Sequence, residues 1–172
     1  MPYLNLIAIL ILLPCVIAGL SMAPWMPTRK KDLARINHLA ALKKGEIFYE
    51  LGSGDGRVSY FIAKNNPHCQ VIGIEIAWPL FIYSKLKLFF APQKNLCFKM
   101  GNIFKEDLSK ADVIYVFAMK NTLNKKLKQK FNKELKKEAR IISYVFSINN
   151  FSKNAHLSKN TKKDLGIYVY EI

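Results

Sequence analysis

The residues best suited to chemistry form a short glycine-rich stretch, preceded by one acid and followed at a distance by another. Residues 50–57 read Glu-Leu-Gly-Ser-Gly-Asp-Gly-Arg and follow an apolar run, at the point where a predicted strand turns into a predicted helix. Glycines at such a turn permit positive φ values and let a ligand approach the backbone closely. A second predicted strand ends at Glu75, nineteen residues after Gly56. Together these features predict a small-molecule site at the carboxyl ends of two neighbouring strands.

The spacing of the glycines and the positions of the acids indicate the kind of ligand. A dinucleotide-binding turn has the pattern G-x-G-x-x-G, and the helix that follows it faces a pyrophosphate. Here Gly56 comes one residue earlier, and Glu50 precedes the turn, where an acid repels a pyrophosphate but suits a cationic amino group. Glu75, at a strand tip, can accept hydrogen bonds from both ribose hydroxyls of an adenosine. The two acids favour a nucleoside with a positive centre, and S-adenosylmethionine fits that description better than NAD.

A largely parallel sheet would bring these strand ends together. Six apolar runs predict strands, namely Ile47–Leu51, 71–75, Leu96–Met100, 113–119, 141–148 and 167–172. Helical patterns alternate with them at 57–64, Trp78–Phe90 and 122–137, after a first helical stretch that Thr28 caps and Gly45 ends. Residues 149–163 are predicted to be a loop or an irregular edge. Runs of β-branched and aromatic residues separated by helices are typical of strands buried on both faces, so we predict an α/β fold.

The N-terminal segment is apolar from Leu4 to Ala23, and twenty residues in a helix span roughly 30 Å, the thickness of a bilayer core. We expect residues 1–23 to be a single transmembrane anchor, with a cleaved signal peptide and a buried core helix as alternatives. Basic residues follow the run immediately, which predicts a domain on the cytoplasmic side. Trp25 is then an interfacial residue or a lid over a pocket rim. The linker and first helix occupy residues 24–45, and the main domain occupies 46–172.

Composition limits the classes of partner. The chain has 27 Lys and Arg against 12 Asp and Glu, a net charge of +15, so it favours anionic partners such as nucleic acid, an anionic membrane surface or an acidic protein. The lysines of residues 122–137, Lys130 among them, could contact phosphates, but the solvated side of an amphipathic helix is the favoured interpretation. No interleaved aromatic residues indicate specific nucleic-acid recognition. Three scattered cysteines do not suit a metal site, and we expect no metal.

The motif at residues 50–57, with Gly73-Ile74-Glu75 and the helix after it, resembles a class I S-adenosylmethionine-dependent methyltransferase. More narrowly, residues 24–28 (Pro-Trp-Met-Pro-Thr), 50–57 and 73–78 together resemble the small membrane-anchored protein-lysine methyltransferases of the ATP synthase c subunit and the adenine nucleotide translocase. The resemblance implies a Rossmann-like sheet with helices on both faces and an antiparallel C-terminal strand. It also implies S-adenosyl-L-methionine as the cofactor.

The same resemblance implies roles for individual residues. The methionine part of the cofactor would contact residues of the turn and the acid before it, which are Glu50, Gly52, Ser53, Gly54 and Gly56. Glu75 would bind the ribose, Ile76 would pack on the adenine, and Asn102 would face the adenine amine unless it is only a turn residue. Asp55 and Phe117, with Trp25, are candidates for the substrate channel, although a turn-forming aspartate and a core phenylalanine are the open alternatives. The usual asparagine after the ribose-binding acid is replaced by Ala77, and no catalytic residue is nominated.

These observations predict an enzyme that methylates a lysine side chain of a membrane or membrane-proximal protein. Within the same fold, a nucleic-acid or small-molecule methyltransferase is the alternative; the charge favours the former and the anchor disfavours it. From another class, a non-catalytic nucleoside-binding module tethered to a membrane is the alternative, because six strand signals are fewer than the seven of a complete sheet.

Overall fold

The computed structural model describes residues 26–151, 155–159, 161 and 163–172, and its centre is a single mixed sheet. The strands are β1 (Ile47–Leu51), β2 (Gln70–Glu75), β3 (Leu96–Met100), β4 (Val113–Val116), β5 (Arg140–Tyr144), β6 (Ala155–Ser158) and β7 (Ile167–Glu171). They lie in the order β3-β2-β1-β4-β5-β7-β6. The first five strands are parallel, whereas β7 runs antiparallel to both β5 and β6.

Helices join the parallel strands except β3 and β4, which a non-helical segment connects. A 3₁₀ turn at Lys30–Asp32 leads into α1 (Leu33–Ala40); α2 (Arg57–Asn65) follows β1, and α3 (Trp78–Phe90) follows β2. After β4, a continuous helical stretch consists of α4 (Lys120–Thr122), a π-helical segment (Leu123–Leu127) and α5 (Lys128–Glu134).

The sheet has an apolar core on each face because successive side chains of a strand point to opposite sides. On one face, Phe48 of β1 packs with Ile36 of α1 and Ile62 of α2. On the other, its neighbour Tyr49 belongs to a core that includes Leu127 and Phe131. The central strands are therefore covered on both sides, which explains their continuous apolar sequences.

The predicted α/β fold is confirmed, and most differences concern the ends of elements. β4 ends at Val116 and β5 at Tyr144, both several residues earlier than predicted. At the end of β5, Val145 has a φ of 72°, a left-handed conformation that interrupts the extended backbone. The interval 149–163, predicted to be a loop or irregular edge, contains β6. The described sheet thus has seven strands, one more than the sequence predicted. The missing strand was the argument for a non-catalytic module, and that argument no longer holds.

Two local interpretations are wrong because partners distant in the sequence determine the side-chain positions. Thr28 does not cap a helix; its hydroxyl lies 2.6 Å from that of Tyr115. Lys130 is not on the solvated side of its helix but is 9% exposed. Its ammonium group donates to Glu134 at 2.7 Å and to the carbonyl of Glu106 at 2.6 Å, which ties α5 to the segment after β3.

In the described part of the chain, no helix combines the length and the apolar character needed to cross a bilayer. The predicted anchor at residues 1–23 lies outside the described residues, as does Trp25. The predicted boundary between residues 24–45 and 46–172 does not separate two cores, since Ile36 of α1 packs in the same cluster as Phe48 of β1.

Candidate cofactor-binding site

The glycine turn connects β1 to α2 at the carboxyl edge of the sheet. Gly52, Gly54 and Gly56 have φ values of 80°, 53° and 69°, which side chains with a Cβ rarely adopt. The N–H groups of Gly52 and Ser53 donate to the carbonyl of Ile74 at 2.9 and 2.8 Å. The turn is therefore attached to the end of β2, and the two sequence motifs meet as predicted.

Glu75 organises this junction. Its side chain is buried, and Oε2 accepts a hydrogen bond from Gly54 N–H at 2.6 Å while Oε1 accepts one from Ala77 N–H at 2.8 Å. A carboxylate oxygen has more than one acceptor position, so both oxygens can still receive a hydroxyl donor. The carboxylate holds the turn and the start of α3 in place, and it retains acceptor positions for the hydroxyl groups of a ribose.

Glu50 occupies a different environment although it lies near the end of the adjacent strand β1. Its carboxyl is buried, and Oε2 accepts hydrogen bonds from the backbone N–H and the hydroxyl of Ser59 at 2.8 and 2.6 Å. Burial raises the pKa of Glu50 to about 8, and the Ser59 hydrogen bonds only partly oppose this. The group is thus largely protonated at neutral pH in the structure as described. Its contact with the cofactor's amino group stays a prediction.

Two further features of the turn fit a ligand. Ser53 is 4% exposed, and its hydroxyl has no hydrogen-bond partner among the described residues, although buried hydroxyls normally have one. A Cβ on Gly56 would lie 2.8 Å from Cε1 of Phe98, so only glycine lets the turn pack this closely over β3. The Ser53 hydroxyl has no partner in the described part of the chain, and the nearby Glu75 carboxylate can accept further hydrogen bonds. Both fit the polar groups of S-adenosylmethionine.

The residues predicted to surround the adenine lie along the same edge. Ile76 directly follows Glu75 and is 44% exposed, as a side chain available for packing on a ring would be. Asn102 follows β3, where Gly101 N–H donates to the carbonyl of Glu75 at 3.0 Å. Asn102 Oδ1 accepts from Phe104 N–H at 2.9 Å, so this side chain has the turn role left open by the sequence. Its contact with the adenine amine stays a prediction.

Asp55 forms a tight ion pair with Arg57, which sequence reasoning missed. The Arg57 guanidinium donates to both carboxylate oxygens of Asp55 and, through Nη1, to the carbonyl of Thr28 at 3.2 Å. Burial raises the pKa of Asp55, but the hydrogen bonds and charge of Arg57 outweigh it and leave the pKa below its ordinary value. Asp55 thus stays ionised and, with Arg57, joins the turn to the N-terminal segment. The only sequence signal was the position of Arg57 at the end of the motif.

Aromatic residues line the neighbouring ends of β4 and β5. Phe117 is partly buried and meets the ring of Tyr144 edge-on, with centroids 5.1 Å apart. The Tyr144 hydroxyl donates to Asp32 at 2.6 Å, and the hydroxyls of Tyr115 and Thr28 form a hydrogen bond. Burial raises the pKa of both tyrosines, so both hydroxyls stay protonated. Phe117 therefore has the packing role that the sequence left open, at the edge where an acceptor would enter.

A concave surface lies at the opposite edge of the sheet, between the starts of β1 and β4, and includes Lys44, Glu46 and Asp112. Ligands of open α/β sheets bind beyond the carboxyl ends of the strands, so this surface is not the predicted site. Among the described residues, no group of three or more His, Cys, Asp or Glu side chains could hold a metal ion.

A mostly parallel seven-stranded sheet, an antiparallel β7 and a glycine turn paired with an acid at the end of β2 define a class I S-adenosylmethionine-dependent methyltransferase. Residues 50–155 match the ANTKMT methyltransferase domain family. The chain belongs to this family, and the protein is a methyltransferase that uses S-adenosylmethionine.

Individual relatives agree with this assignment. The chain is 30% identical over 155 residues to a protein-lysine N-methyltransferase from Saccharolobus islandicus, covering 87% of this chain and 93% of the relative. An RNA methyltransferase from Salinibacter ruber, solved with S-adenosyl-L-homocysteine, superimposes with a TM-score of 0.78 at 24% identity, over 86% of this chain and 94% of its own. Precorrin-6y C5,15-methyltransferase from Geobacter metallireducens has a TM-score of 0.66 at 14% identity, over 86% and 90% of the two chains. These two structures share the fold.

Proposed function

We propose that the protein transfers a methyl group from S-adenosylmethionine to the side-chain amine of a lysine in another protein. The observation that carries this proposal is the similarity to the protein-lysine N-methyltransferase of Saccharolobus islandicus, which extends over 87% of this chain. Asp55, Phe117 and Trp25 remain proposed contacts of the acceptor channel. The partly buried ring of Phe117, which packs on the buried Tyr144, supports this, since an apolar surface suits the methylene chain of a lysine.

The protein's contribution to such a reaction is binding and alignment. The sulfonium of bound S-adenosylmethionine activates the methyl group for in-line displacement, in which the amine forms the new C–N bond and the C–S bond breaks. Glu75 and the turn at residues 52–56 would hold the nucleoside and methionine parts still. Alignment of a nucleophile at about 3 Å from the methyl carbon contributes several kcal/mol to catalysis. The other proposed cofactor contacts would share this binding role; they are Glu50, Gly52, Ser53, Gly54, Gly56, Ile76 and Asn102.

The acceptor must be neutral to react, although a lysine in water has a pKa of about 10.4. Partial desolvation beside aromatic side chains lowers the pKa of an ammonium group and raises the neutral fraction. The surplus proton then passes to solvent. We assign no general base.

We further propose that the acceptor is a membrane or membrane-proximal protein and that the catalytic domain lies on the cytoplasmic side. The apolar run at residues 4–23 and the basic residues after it support this placement. The net charge of +15 would add attraction to an anionic membrane surface. An enzyme held at a membrane searches that surface for its substrate.

Calorimetry with the full-length protein tests the proposed cofactor residues. We expect Glu75→Gln to lower the affinity for S-adenosylmethionine about tenfold or more, because the amide removes one charged acceptor. Glu138→Gln is the matched control, since Glu138 is exposed at the start of β5, and its affinity should equal that of the wild type. Equal affinities for wild type and Glu75→Gln would remove Glu75 from the site.

The acceptor is tested by incubating membranes with methyl-labelled S-adenosylmethionine and the enzyme, followed by mass spectrometry of the labelled products. We expect label on lysine side chains of membrane proteins and a large loss of label with Glu75→Gln. Label confined to nucleic acid or to soluble metabolites would contradict the proposal and favour the alternative within the same fold.

A further inference from the structure

Helix α3 exposes apolar side chains where a surface helix normally carries polar ones. Phe89 and Phe90 are 75% and 79% exposed, and Tyr83, Leu86 and Ile82 are 56%, 51% and 45% exposed. At about 100° per residue these side chains, with Trp78, occupy one arc of about 140° around the helix. The opposite side of the helix packs against the core, with Ser84 fully enclosed and Phe81 and Leu88 partly buried. We call this arc the α3 apolar face.

Positive charge borders the α3 apolar face. Lys85 lies at one margin of the arc and Lys87 at the other, and Lys94 follows the helix as an exposed side chain. Residues 76–100, which contain α3 and the edge strand β3, include four lysines and no acidic residue. An apolar arc flanked by lysines is typical of helices that lie in the interface of a membrane.

The lysines of the π-helical segment and α5 differ in this respect. There the apolar side chains, such as Leu127 and Phe131, are fully buried against the sheet. Lys133 is exposed, and the Lys126 ammonium lies 5.6 Å from the centre of the ring of Phe104, which is partly buried. Charge alone does not distinguish the two surfaces, but the combination with exposed aromatic residues is found at α3.

Helix α2 contacts both the first described residues and α3. Arg57, at the start of α2, holds the carbonyl of Thr28, two residues after the first described residue. The Lys87 ammonium of α3 lies 4.9 Å from the centre of the Tyr60 ring of α2, so one margin of the α3 face borders this helix. The first described residues and one margin of the α3 apolar face therefore both border α2.

We propose that the α3 apolar face docks on an anionic lipid bilayer, with its aromatic side chains among the lipid chains and Lys85, Lys87 and Lys94 at the phosphate groups. This inference rests on the membrane placement proposed above and specifies the surface that would meet the lipid. Since α3 begins three residues after Glu75, docking holds the cofactor site next to the membrane. A lysine near the surface of a membrane protein is then within reach.

A spin label on α3 tests the contact in the full-length protein reconstituted in vesicles. The label is placed with Phe89→Cys in a chain carrying Cys15→Ser and Cys97→Ser; Cys69 is buried and stays. In phosphatidylcholine vesicles containing phosphatidylserine, we expect the label to become accessible to oxygen and inaccessible to a water-soluble nickel complex. A label introduced with Lys133→Cys on α5 is the control and should stay in water.

Charge-reversal variants distinguish the contribution of the lysines around α3 from that of the protein's overall charge. Each lysine near an anionic surface contributes about 1 kcal/mol, a factor of roughly five. The ratio of immersed to aqueous label at position 89 should therefore fall about tenfold or more with Lys85→Glu/Lys94→Glu. Lys126→Glu/Lys133→Glu, with the same change in charge, should leave the ratio unchanged. Both variants should bind S-adenosylmethionine like the wild type, which shows that the fold and the enzymatic site are intact.

Three outcomes overturn the inference. A label at position 89 that stays in water on vesicles carrying the protein removes α3 from the interface while leaving the membrane placement intact. Equal effects of the two charge reversals would show that net charge, rather than the α3 face, determines the contact. Spin–spin broadening at position 89 without lipid would assign the face to a second copy of the chain. None of these outcomes alters cofactor affinity, so the proposed enzymatic function is tested separately.

Discussion

Glu50 and Glu75 are the same residue type at the ends of adjacent strands, yet they have different functions. Glu75 holds the glycine turn through Gly54 N–H and Ala77 N–H, so its carboxylate is surrounded by backbone donors. Glu50 is buried against Ser59, and burial raises the pKa of its carboxyl to about 8. Glu50 therefore ties the end of β1 to α2, and its contact with the cofactor stays a prediction, whereas the carboxylate of Glu75 keeps acceptor positions for a ligand.

The raised pKa of Glu50 predicts a pH-dependent stability. Its pKa is about 8 in the folded protein against an ordinary value of 4.5, so the folded state binds a proton that the unfolded state loses in this range. The stability from this group is complete below pH 4.5 and is lost as the pH rises to about 8, by at most about 1.4 kcal/mol per pH unit. Glu50→Gln removes this titration.

Urea unfolding at several pH values measures the effect. Between about pH 5 and pH 8 the wild type should lose roughly 3 kcal/mol of unfolding free energy relative to Glu50→Gln. Parallel stability curves for the two proteins would show that Glu50 is not buried with a raised pKa.

At the scale of elements, the connection between β1 and α2 depends on a close approach to β3. Gly56 has a φ of 69°, and a Cβ there would collide with the ring of Phe98 and lie 3.2 Å from Cβ of Ser84. The same ring limits Gly73 of β2, where a Cβ would lie 2.7 Å from Cδ1 of Phe98. The turn, β2 and α3 are thus packed around one phenylalanine, and their relative positions determine the shape of the site.

Gly56→Ala and Gly45→Ala separate backbone strain from this packing. Gly45 has a φ of 88°, and no atom lies within 4 Å of the position that a Cβ would take, so alanine there costs only the left-handed conformation, about 1–2 kcal/mol. Gly56→Ala adds a collision and should cost about 3 kcal/mol or more. It should also lower the affinity for S-adenosylmethionine, which Gly45→Ala should not change. Urea unfolding and calorimetry measure both quantities, and equal costs would contradict the packing argument.

At the scale of the whole molecule, residues 28–35 connect distant parts of the chain. Thr28 bonds to Tyr115 of β4, Asp32 accepts from Tyr144 of β5, and Arg35 donates to the carbonyl of Leu165 before β7. These contacts join residues 87 to 130 positions apart. The N-terminal residues therefore stabilise the half of the sheet where an acceptor would enter.

A double-mutant cycle tests the first of these contacts. Thr28→Val or Tyr115→Phe leaves one buried hydroxyl without its partner, and each should cost about 1–3 kcal/mol of unfolding free energy. The double variant should cost clearly less than the sum, because neither hydroxyl is then left unpaired. Thr28→Val combined with Tyr170→Phe, whose hydroxyl bonds to Ile148 on the other face of the sheet, should be additive. Additivity in the first pair would contradict the hydrogen bond.

Features that depend on near neighbours in the chain were predictable from the sequence alone. The order of strands and helices follows from apolar periodicity, and α3 has the predicted bounds. The glycine turn and Glu75 were recognised because their roles require particular residue types at a fixed spacing along two adjacent strands. β6 was missed, since the short strand Ala-His-Leu-Ser has no apolar run and depends on pairing with β7.

The tertiary structure alone decided which groups are buried and with what partners. Thr28, Glu50 and Lys130 are polar residues whose positions depend on Tyr115, Ser59 and the segment after β3. The exposure of the α3 apolar face likewise follows from the side of the helix that meets the sheet, since both sides of α3 are rich in apolar residues. Burial sums contributions from every packed element, so residue type and spacing cannot determine it, whereas they suffice to predict the glycine turn between β1 and α2.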